Sequence, residues 1–292
     1  MSILKDTNTF SPSIEIPKTI KTIVKISELI STKLTTWLVS KLFTTPITYK
    51  TPKREMAMEK SAQKKKIYIN SIQKEVHILS YGYSKKKVLL AHGWAGRSTQ
   101  LFMVADKLLE KGYMVISFDA PAHGKSTGKT TNMIEYIETI KEINNTFGPF
   151  EAAVGHSFGG MAILNTQAEK KIFKTLVTIG AADLITNITQ RFVQSLELKP
   201  LIALKMTQSF NKKLNINLND YSANYAAKKV LAPTLVIHDS KDGDVPVSCA
   251  HNIRQNLKKG SLLITNGLGH TKILRDKETM NYAVNFIIKN NL

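Results

Sequence analysis

Residues 155–159 read Gly-His-Ser-Phe-Gly, a G-x-S-x-G pattern. An apolar run at 152–154 precedes it and a helix-favouring run at 161–164 follows it, which predicts a strand, a sharp turn and a helix. A serine at the apex of such a turn has a strained backbone, and its glycine neighbours let the strand and the helix approach each other. The pattern therefore predicts a sheet that presents the hydroxyl of Ser157 at a helix N-terminus.

Two later segments could give this serine an acid and a base. A predicted strand at 234–238 is followed by three candidate acids, Asp239, Asp242 and Asp244. A predicted strand at 261–265 is followed by His270. A serine hydroxyl is a weak nucleophile until a histidine accepts its proton, and that histidine needs a carboxylate to fix its tautomer. The order of serine, aspartate and histidine is that of one known kind of serine triad.

The predicted strand at 88–91 ends in a second turn, His-Gly-Trp-Ala-Gly at 92–96. We predict that the backbone N–H of Trp94 acts together with the N–H of Phe158, the residue after the serine, as an oxyanion hole. In other enzymes, one such donor stabilises the transition state by roughly 3 kcal/mol.

These segments resemble the α/β-hydrolase superfamily, in its single-domain esterase-like branch. The resemblance covers roughly residue 76 to the C-terminus and is carried by HGWAG at 92–96, SFDAPAHGKSTG at 117–128, GHSFGG at 155–160, VIHDSKDGDVP at 236–246 and GLGH at 267–270. It assigns the acid to Asp242, with Asp244 as the next candidate, near the start of the following helix, and Asp239 last. Asp183 stands where some relatives carry the acid. His92, His123 and His156 are expected to be structural.

The order of strands and helices predicts an α/β fold with a mostly parallel twisted sheet and helices on both faces. Strands are predicted at 66–70, 75–80, 88–91, 114–118, 151–156, 175–179, 234–238 and 261–265. Helices are predicted at 99–111, 131–146, 159–170, 247–258 and 276–290. The resemblance places a small cap at 183–229, between the sixth and seventh strands. A long crossover helix is the alternative for that segment.

Residues 1–60 are predicted to be an N-terminal extension, and residues 61–292 the hydrolase domain. Within the extension, an amphipathic basic helix is predicted over 18–44, ending before Pro46. Its apolar residues are Ile16, Ile20, Ile23, Ile30, Leu34, Trp37, Leu38 and Leu42, and its lysines are Lys18, Lys21, Lys25, Lys33 and Lys41. Such a helix could lie on a membrane surface. It could equally pack against the hydrolase domain.

The charge and the cysteine content limit the partners and the compartment. The chain has 41 basic and 22 acidic residues, a formal net charge of +19, but no nucleic-acid-binding motif accompanies them. We therefore predict no nucleic-acid partner, and a lysine-rich surface that is mostly solvated. The single cysteine, Cys249, suits a reducing compartment. No secretory signal and no apolar stretch of about 18 residues is visible, which favours a cytoplasmic protein, with peripheral contact at the inner membrane surface as a possibility.

No cofactor or metal is predicted. Residues 124–130 contain Gly-Lys-Ser and Gly-Lys-Thr, but a phosphate-binding loop would need glycine where Asp119 or His123 stands. No paired cysteines and no H-E-x-x-H pattern indicate a metal site.

The sequence thus favours a serine hydrolase, specifically a carboxylesterase that acts on small or medium acyl esters through an acyl-enzyme. An amidase or peptidase of the same fold is an alternative, because the triad does not distinguish esters from amides. A membrane-associated binding protein with a non-catalytic hydrolase fold is a third interpretation.

Overall fold

The computed structural model describes residues 9–13 and 15–291. Their strands form an eight-stranded sheet in the order β1-β2-β4-β3-β5-β6-β7-β8. The strands are β1 (Gln63–Ile69), β2 (Lys74–Tyr81), β3 (Lys87–Ala91), β4 (Met114–Phe118), β5 (Phe150–His156), β6 (Phe173–Ile179), β7 (Thr234–Asp239) and β8 (Gly260–Thr265). β2 pairs antiparallel with both β1 and β4, and the remaining pairs are parallel. The prediction of a mostly parallel sheet is confirmed.

Helices connect these strands. In chain order they are α1 (Lys18–Ile30), α2 (Thr32–Thr44), α3 (Met56–Ser61), α4 (Phe102–Glu110), α5 (Met133–Phe147), α6 (Phe158–Glu169), α7 (Ile185–Ser195), α8 (Pro200–Leu214), α9 (Ala223–Ala227), α10 (Ser248–Asn256), α11 (Gly269–Lys272) and α12 (Lys277–Asn290). Short 3₁₀ turns lie at Lys53–Glu55, Leu218–Tyr221 and Ile273–Arg275. Among these, no helix is long and apolar enough to cross a membrane.

The sheet is buried on both faces. In β5, Ala152 and Val154 point into one hydrophobic core, while Ala153 points into the other. This alternation follows from the two-residue period of a strand. Because helices cover both faces, the central strands are apolar throughout, as expected of a parallel sheet.

The order of the strands places the predicted site residues together. After β3 the chain passes to β4 on one side and then to β5 on the other side, so β3 and β5 flank a crevice at their carboxyl ends. Ligands of parallel α/β sheets bind at such a point. The loops after β3, β5, β7 and β8 all lie at this edge, and they carry Trp94, Ser157, Asp242 and His270.

The helix predicted over 18–44 is two helices, so the prediction of one continuous helix is wrong. The chain is extended at Ser31, with φ −160° and ψ 122°, and the Ser31 side chain accepts a hydrogen bond from Leu34 N at 3.4 Å as the N-cap of α2. A serine side chain competes with helix continuation by bonding the backbone of the next turn. The predicted end before Pro46 is correct, because α2 ends at Thr44.

The two helices form a hairpin that packs on the segment between β6 and β7. The hairpin and α7–α8 share a small core made of Val24, Val39, Val193, Leu196, Leu198, Ile202, Ala203 and Met206. Lys21 and Lys25 both form ion pairs with Glu197, and Lys199 N donates to Glu28. One side of the hairpin therefore belongs to the folded body of the protein.

Candidate active site

Ser157 occupies the sharp turn between β5 and α6. Its φ of 50° and ψ of −116° form a strained conformation that costs about 1–3 kcal/mol for a residue with a side chain. The glycines on either side are required by close packing. A Cβ on Gly159 would lie 2.3 Å from the backbone oxygen of Ala91, and one on Gly155 would lie 2.5 Å from Gly159 O. The strand, turn and helix are those predicted from the sequence.

His270 and Asp242 form a hydrogen-bonded pair at the ends of β8 and β7. His270 Nδ1 lies 2.7 Å from Asp242 Oδ2. The other carboxylate oxygen, Oδ1, accepts N–H bonds from Asp244 at 2.8 Å and Val245 at 2.9 Å. These two bonds fix the carboxylate, so that it holds the imidazole of His270 in one orientation.

The remaining candidate acids have other partners. Asp239 joins two loops, because it accepts bonds from Lys241 N, Thr265 Oγ1 and Leu268 N. Asp183 is buried and accepts bonds from the side chains of Asn252 and Cys249. Of the four aspartates considered from the sequence, Asp242 is the one that hydrogen-bonds His270 in the described structure.

Asp244 lies shortly before helix α10 and bonds another part of the chain. Helix α10 begins at Ser248 after Val247, and no side chain caps it. Asp244 instead accepts bonds from the backbone N–H of Ser13 at 3.1 Å and from its hydroxyl at 3.0 Å. Asp244 thus lies near the start of the next helix, as expected, but its carboxylate bonds Ser13 and does not cap the helix.

Asp242 and His270 each favour the charged form of the other. Burial alone would raise the pKa of Asp242, but hydrogen bonds from His238 and His270 outweigh it and hold the pKa well below its ordinary value. Burial would lower the pKa of His270, but the hydrogen bond and charge of Asp242 and the charge of Asp244 raise it above its ordinary value. The arrangement thus favours an ionised acid beside a basic imidazole.

Ser157 and His270 lie at the same edge of the sheet, in the loops after β5 and β8. Ser157 N donates to Ile179 O, at the end of β6, at 2.8 Å. Gly180, which follows Ile179, lies close to His270, since a Cβ on Gly180 would be 3.2 Å from the His270 ring. In the described structure Ser157 Oγ makes no hydrogen bond to His270. Hydrogen bonds of a catalytic site are often long without substrate and shorten when substrate binds.

His156, just before the serine, supports His270 from the other side. Its Nε2 lies 3.0 Å from the backbone oxygen of His270, and the two rings are 4.6 Å apart between centroids. Burial and the neighbouring His270 lower the pKa of His156 to about 3. A neutral His156 therefore donates its Nε2–H to the backbone of His270, which fits the structural role expected for it.

The turns after β3 and β5 each carry one backbone N–H group that makes no hydrogen bond in the described structure. Among the described residues, the N–H groups of Trp94 and Phe158 have no acceptor. Every neighbouring N–H in the first turn has one: Gly93 N donates to Gln100 Oε1, Ala95 N to His123 Nε2 and Gly96 N to Gly93 O. The rings of Trp94 and Phe158 contact each other edge to face, with centroids 5.4 Å apart. The two residues predicted to form the oxyanion hole are thus brought together.

His92 and His123 organise the loops around this turn. His92 Nε2 accepts a bond from Ala120 N at 2.9 Å, and its Nδ1 lies 2.7 Å from Gly93 O. Burial lowers the pKa of His92 to about 4. Burial and the nearby His92 lower the pKa of His123 to about 3. Both are therefore neutral and hydrogen-bonded at neutral pH, as expected for structural residues.

Sequence reasoning missed the residues before β1 that support the site. Glu55 is buried and bonds Arg97 Nη1 and Thr99 Oγ1, both at 2.7 Å, just after the turn that carries Trp94. Residues 9–13, here called the strap, lie on the loop after β7 that carries Asp242 and Asp244. Within the strap Phe10 N donates to Lys241 O at 3.0 Å, and its ring lies against Gly269.

The same corner includes one group of possible metal ligands. Ligand atoms of Asp242, Asp244 and His270 lie within 4.8 Å of one another. Asp242 already receives bonds on both oxygens, from His270 Nδ1 on one and from two backbone N–H groups on the other. These contacts favour an acid–histidine pair at this position.

The comparison with protein families agrees with this geometry. The model of the alpha/beta hydrolase fold matches residues 86–202, and that of TAP-like protein matches residues 218–290. The chain belongs to the α/β-hydrolase superfamily. The matched segments contain the turns of Trp94 and Ser157 in the first model, and the loops of Asp242 and His270 in the second.

Solved structures of this superfamily share the fold at low sequence identity. An esterase from Pyrococcus furiosus is 18% identical, with 84% of this chain and 97% of that chain covered and a TM-score of 0.64. An esterase from Exiguobacterium antarcticum is 17% identical, with 77% and 100% covered and a TM-score of 0.61. A proline iminopeptidase from Mycobacterium smegmatis is 12% identical, with 78% and 99% covered and a TM-score of 0.60. Among curated proteins, none matches this chain in sequence.

Proposed function

We propose that this α/β-hydrolase is a serine hydrolase that cleaves carboxylic esters through an acyl-enzyme on Ser157. The observation that supports this most is the meeting of three features at one sheet edge. A strained serine stands at a helix N-terminus, a histidine and a buried aspartate are paired at 2.7 Å, and two N–H groups have no acceptor among the described residues. A binding protein would not require all three.

The proposed reaction uses these groups in sequence. His270 Nε2 accepts the proton of Ser157 as Oγ attacks the ester carbonyl, and the N–H groups of Trp94 and Phe158 bind the resulting oxyanion. Asp242 holds the imidazole and stabilises its positive charge. The C–O bond to the alcohol then breaks, and His270 returns the proton to the leaving oxygen. Water, deprotonated by His270, attacks the acyl-enzyme, and Ser157 regains its hydrogen when the acid leaves.

The preference for esters is part of the proposal. An amide needs its leaving nitrogen to be protonated as the bond breaks, whereas an alkoxide leaves more readily, so the described groups suffice for an ester. The α/β-hydrolase fold is shared by enzymes named as esterases and as an iminopeptidase. An amidase or peptidase is therefore the other possible outcome of a substrate test.

The nucleophile is tested by covalent labelling with a fluorophosphonate. Wild-type protein should be labelled and Ser157→Ala should not, while Ser209→Ala, which changes an exposed serine on α8, should be labelled like wild type. Turnover of Ser157→Ala should fall by about a million-fold, as in other triads. Undiminished labelling of Ser157→Ala would remove Ser157 from the mechanism.

The substrate class is tested with p-nitrophenyl esters of increasing acyl length, measured beside aminoacyl p-nitroanilides. We expect the highest kcat/KM for a short or medium acyl ester. A higher kcat/KM for an aminoacyl amide would support the amidase or peptidase instead. If Ser157 is labelled but neither the esters nor the amides are hydrolysed, the serine is reactive, but the assignment to these esters is refuted.

A further inference from the structure

The hairpin of α1 and α2 has a second side that the folded body does not use. At the turn between the helices, Leu29 is 87% exposed and Ile30 is 70% exposed. The exposed apolar surface continues along both helices through Ile23, Ile26, Leu34 and Trp37. Single exposed apolar residues are ordinary on a protein surface, but six on one hairpin form a patch of the kind that marks an interaction site.

This patch is separate from the side of the hairpin that packs on α7 and α8. Val24 and Val39 are buried against α7 and α8, whereas Ile23, Ile26 and Ile30 follow one another at helical spacing on the exposed side of α1. On α2, Leu34 and Trp37 continue to Lys41 at the same spacing. The packing of the hairpin therefore leaves its apolar stripe in solvent and holds it in a fixed orientation.

The charge around the patch is basic. Residues 18–44 contain five lysines and one acidic residue, Glu28, which accepts a bond from Lys199 N. Lys18, Lys33 and Lys41 are exposed and have no ion-pair partner among the described residues. The Lys41 ammonium lies over the Trp37 ring, 5.4 Å from its centroid. The hairpin thus carries three lysines that are free to meet an anionic surface, besides its exposed apolar side chains.

We propose that this hairpin is a docking surface for the anionic face of a lipid bilayer. Leucine and isoleucine at the turn would enter the boundary of the acyl chains, and tryptophan suits the headgroup level because its ring is apolar and its N–H is polar. Each lysine near an anionic surface strengthens binding about fivefold. A second copy of this chain is a poorer occupant, because the net charge of +19 would repel it.

Docking would place α7 and α8 beside the lipid. The hairpin packs directly on α7 and α8, which lie between β6 and β7. Anchoring in this way is independent of the chemistry at Ser157, so binding and turnover can be measured separately.

The test is co-sedimentation of the full chain with vesicles. Vesicles of phosphatidylcholine with phosphatidylglycerol in equal parts are compared with vesicles of phosphatidylcholine alone. We expect binding to the anionic vesicles only. The double variant Leu29→Gln/Ile30→Gln should lower the partition coefficient at least tenfold, because two apolar side chains leave the bilayer boundary. Lys33→Gln/Lys41→Gln should lower it about thirtyfold, from two lost attractions.

Matched control variants distinguish the contribution of the hairpin to vesicle binding from that of any exposed lysine or leucine. Leu231→Gln replaces a leucine that is 44% exposed in the loop before β7, and Lys85→Gln/Lys86→Gln removes two charges from the loop between β2 and β3. Both should bind vesicles within about twofold of wild type. An equal loss with Lys85→Gln/Lys86→Gln would overturn the proposal in favour of diffuse charge attraction.

A second readout reports the depth of the hairpin. In a Trp94→Phe background Trp37 is the one remaining tryptophan, and its emission should shift to shorter wavelength with anionic vesicles. Unchanged emission, or absence of binding, would overturn the proposal. So would a dimer in sedimentation velocity that Leu29→Gln/Ile30→Gln dissociates, because the patch would then bind a second copy. Thermal unfolding of each variant establishes that it is folded.

Discussion

Replacing Asp242 with asparagine should stop turnover by reversing one hydrogen bond. Asp242 Oδ1 accepts two backbone N–H bonds, so an asparagine at this position must direct its oxygen there. Its NH₂ group then replaces Oδ2, which lies 2.7 Å from His270 Nδ1. Since NH₂ only donates, Nδ1 must become an acceptor, and the ring proton moves to Nε2.

The opposite orientation of the amide is disfavoured. Turning the amide oxygen toward His270 would leave two buried N–H groups facing NH₂, at a cost of about 1–3 kcal/mol for each. A change of histidine tautomer costs less than this, so the inactive orientation prevails. A histidine protonated on Nε2 cannot accept the Ser157 proton. We therefore expect kcat to fall about 10⁴-fold, as for the equivalent change in another triad. This corresponds to about 5.5 kcal/mol of activation free energy.

The assay is kcat and kcat/KM on the best p-nitrophenyl ester, with ¹⁵N NMR of the His270 ring to identify the tautomer. Asp244→Asn is the matched control, because it changes a neighbouring aspartate that does not bond His270, and it should stay within about tenfold of wild type. Asp242→Asn activity within tenfold of wild type would refute the reasoning. So would an inactive Asp244→Asn beside an active Asp242→Asn.

Three further predictions follow from the contacts around the site. Because the pKa of His270 is raised and a general base must be neutral, kcat/KM should fall as pH decreases through a midpoint above the ordinary histidine value of about 6.5. Asp244→Asn should move that midpoint to lower pH, whereas an unmoved or raised midpoint would contradict the charge assignment. Arg97→Ala leaves a buried carboxylate without its cation, so urea unfolding should show a loss of about 3 kcal/mol, and Arg97→Lys should recover part of it. Gly243→Ala would place a Cβ 1.9 Å from Phe10 O and should displace the strap, which increased trypsin cleavage near residue 18 would reveal. Cleavage at the wild-type rate would show that the strap is not held there.

The sequence predicted the sheet and the order of its site residues because those signals are local. The turn at Ser157 needs small neighbours within two residues, and the strands that precede Asp242 and His270 are short apolar runs. The choice among three aspartates was different in kind. That choice came from a resemblance. The structure shows the physical difference, because Asp239 accepts a hydrogen bond from Leu268 N and Asp244 accepts one from Ser13 N, whereas Asp242 bonds His270.

The support from the N-terminal extension could not be predicted in this way. Glu55 bonds Thr99, which is 44 residues away, and Ser13 bonds Asp244 across 231 residues. Neither contact is preceded by a periodic pattern or a motif. The break at Ser31 was missed for another reason. The apolar spacing continues through residues 18–44, and a single serine in that pattern is compatible with a helix until its side chain is seen to cap the next one.

The packing of the hairpin on α7 and α8 has a consequence during synthesis. Lys21 meets its partner Glu197 only after 176 further residues have been made. At about 5–20 residues per second, this takes roughly 9–35 s on the ribosome. For that time Val24 and Val39 have no core to join. The nascent hairpin therefore needs protection from premature association until α7 and α8 have been made.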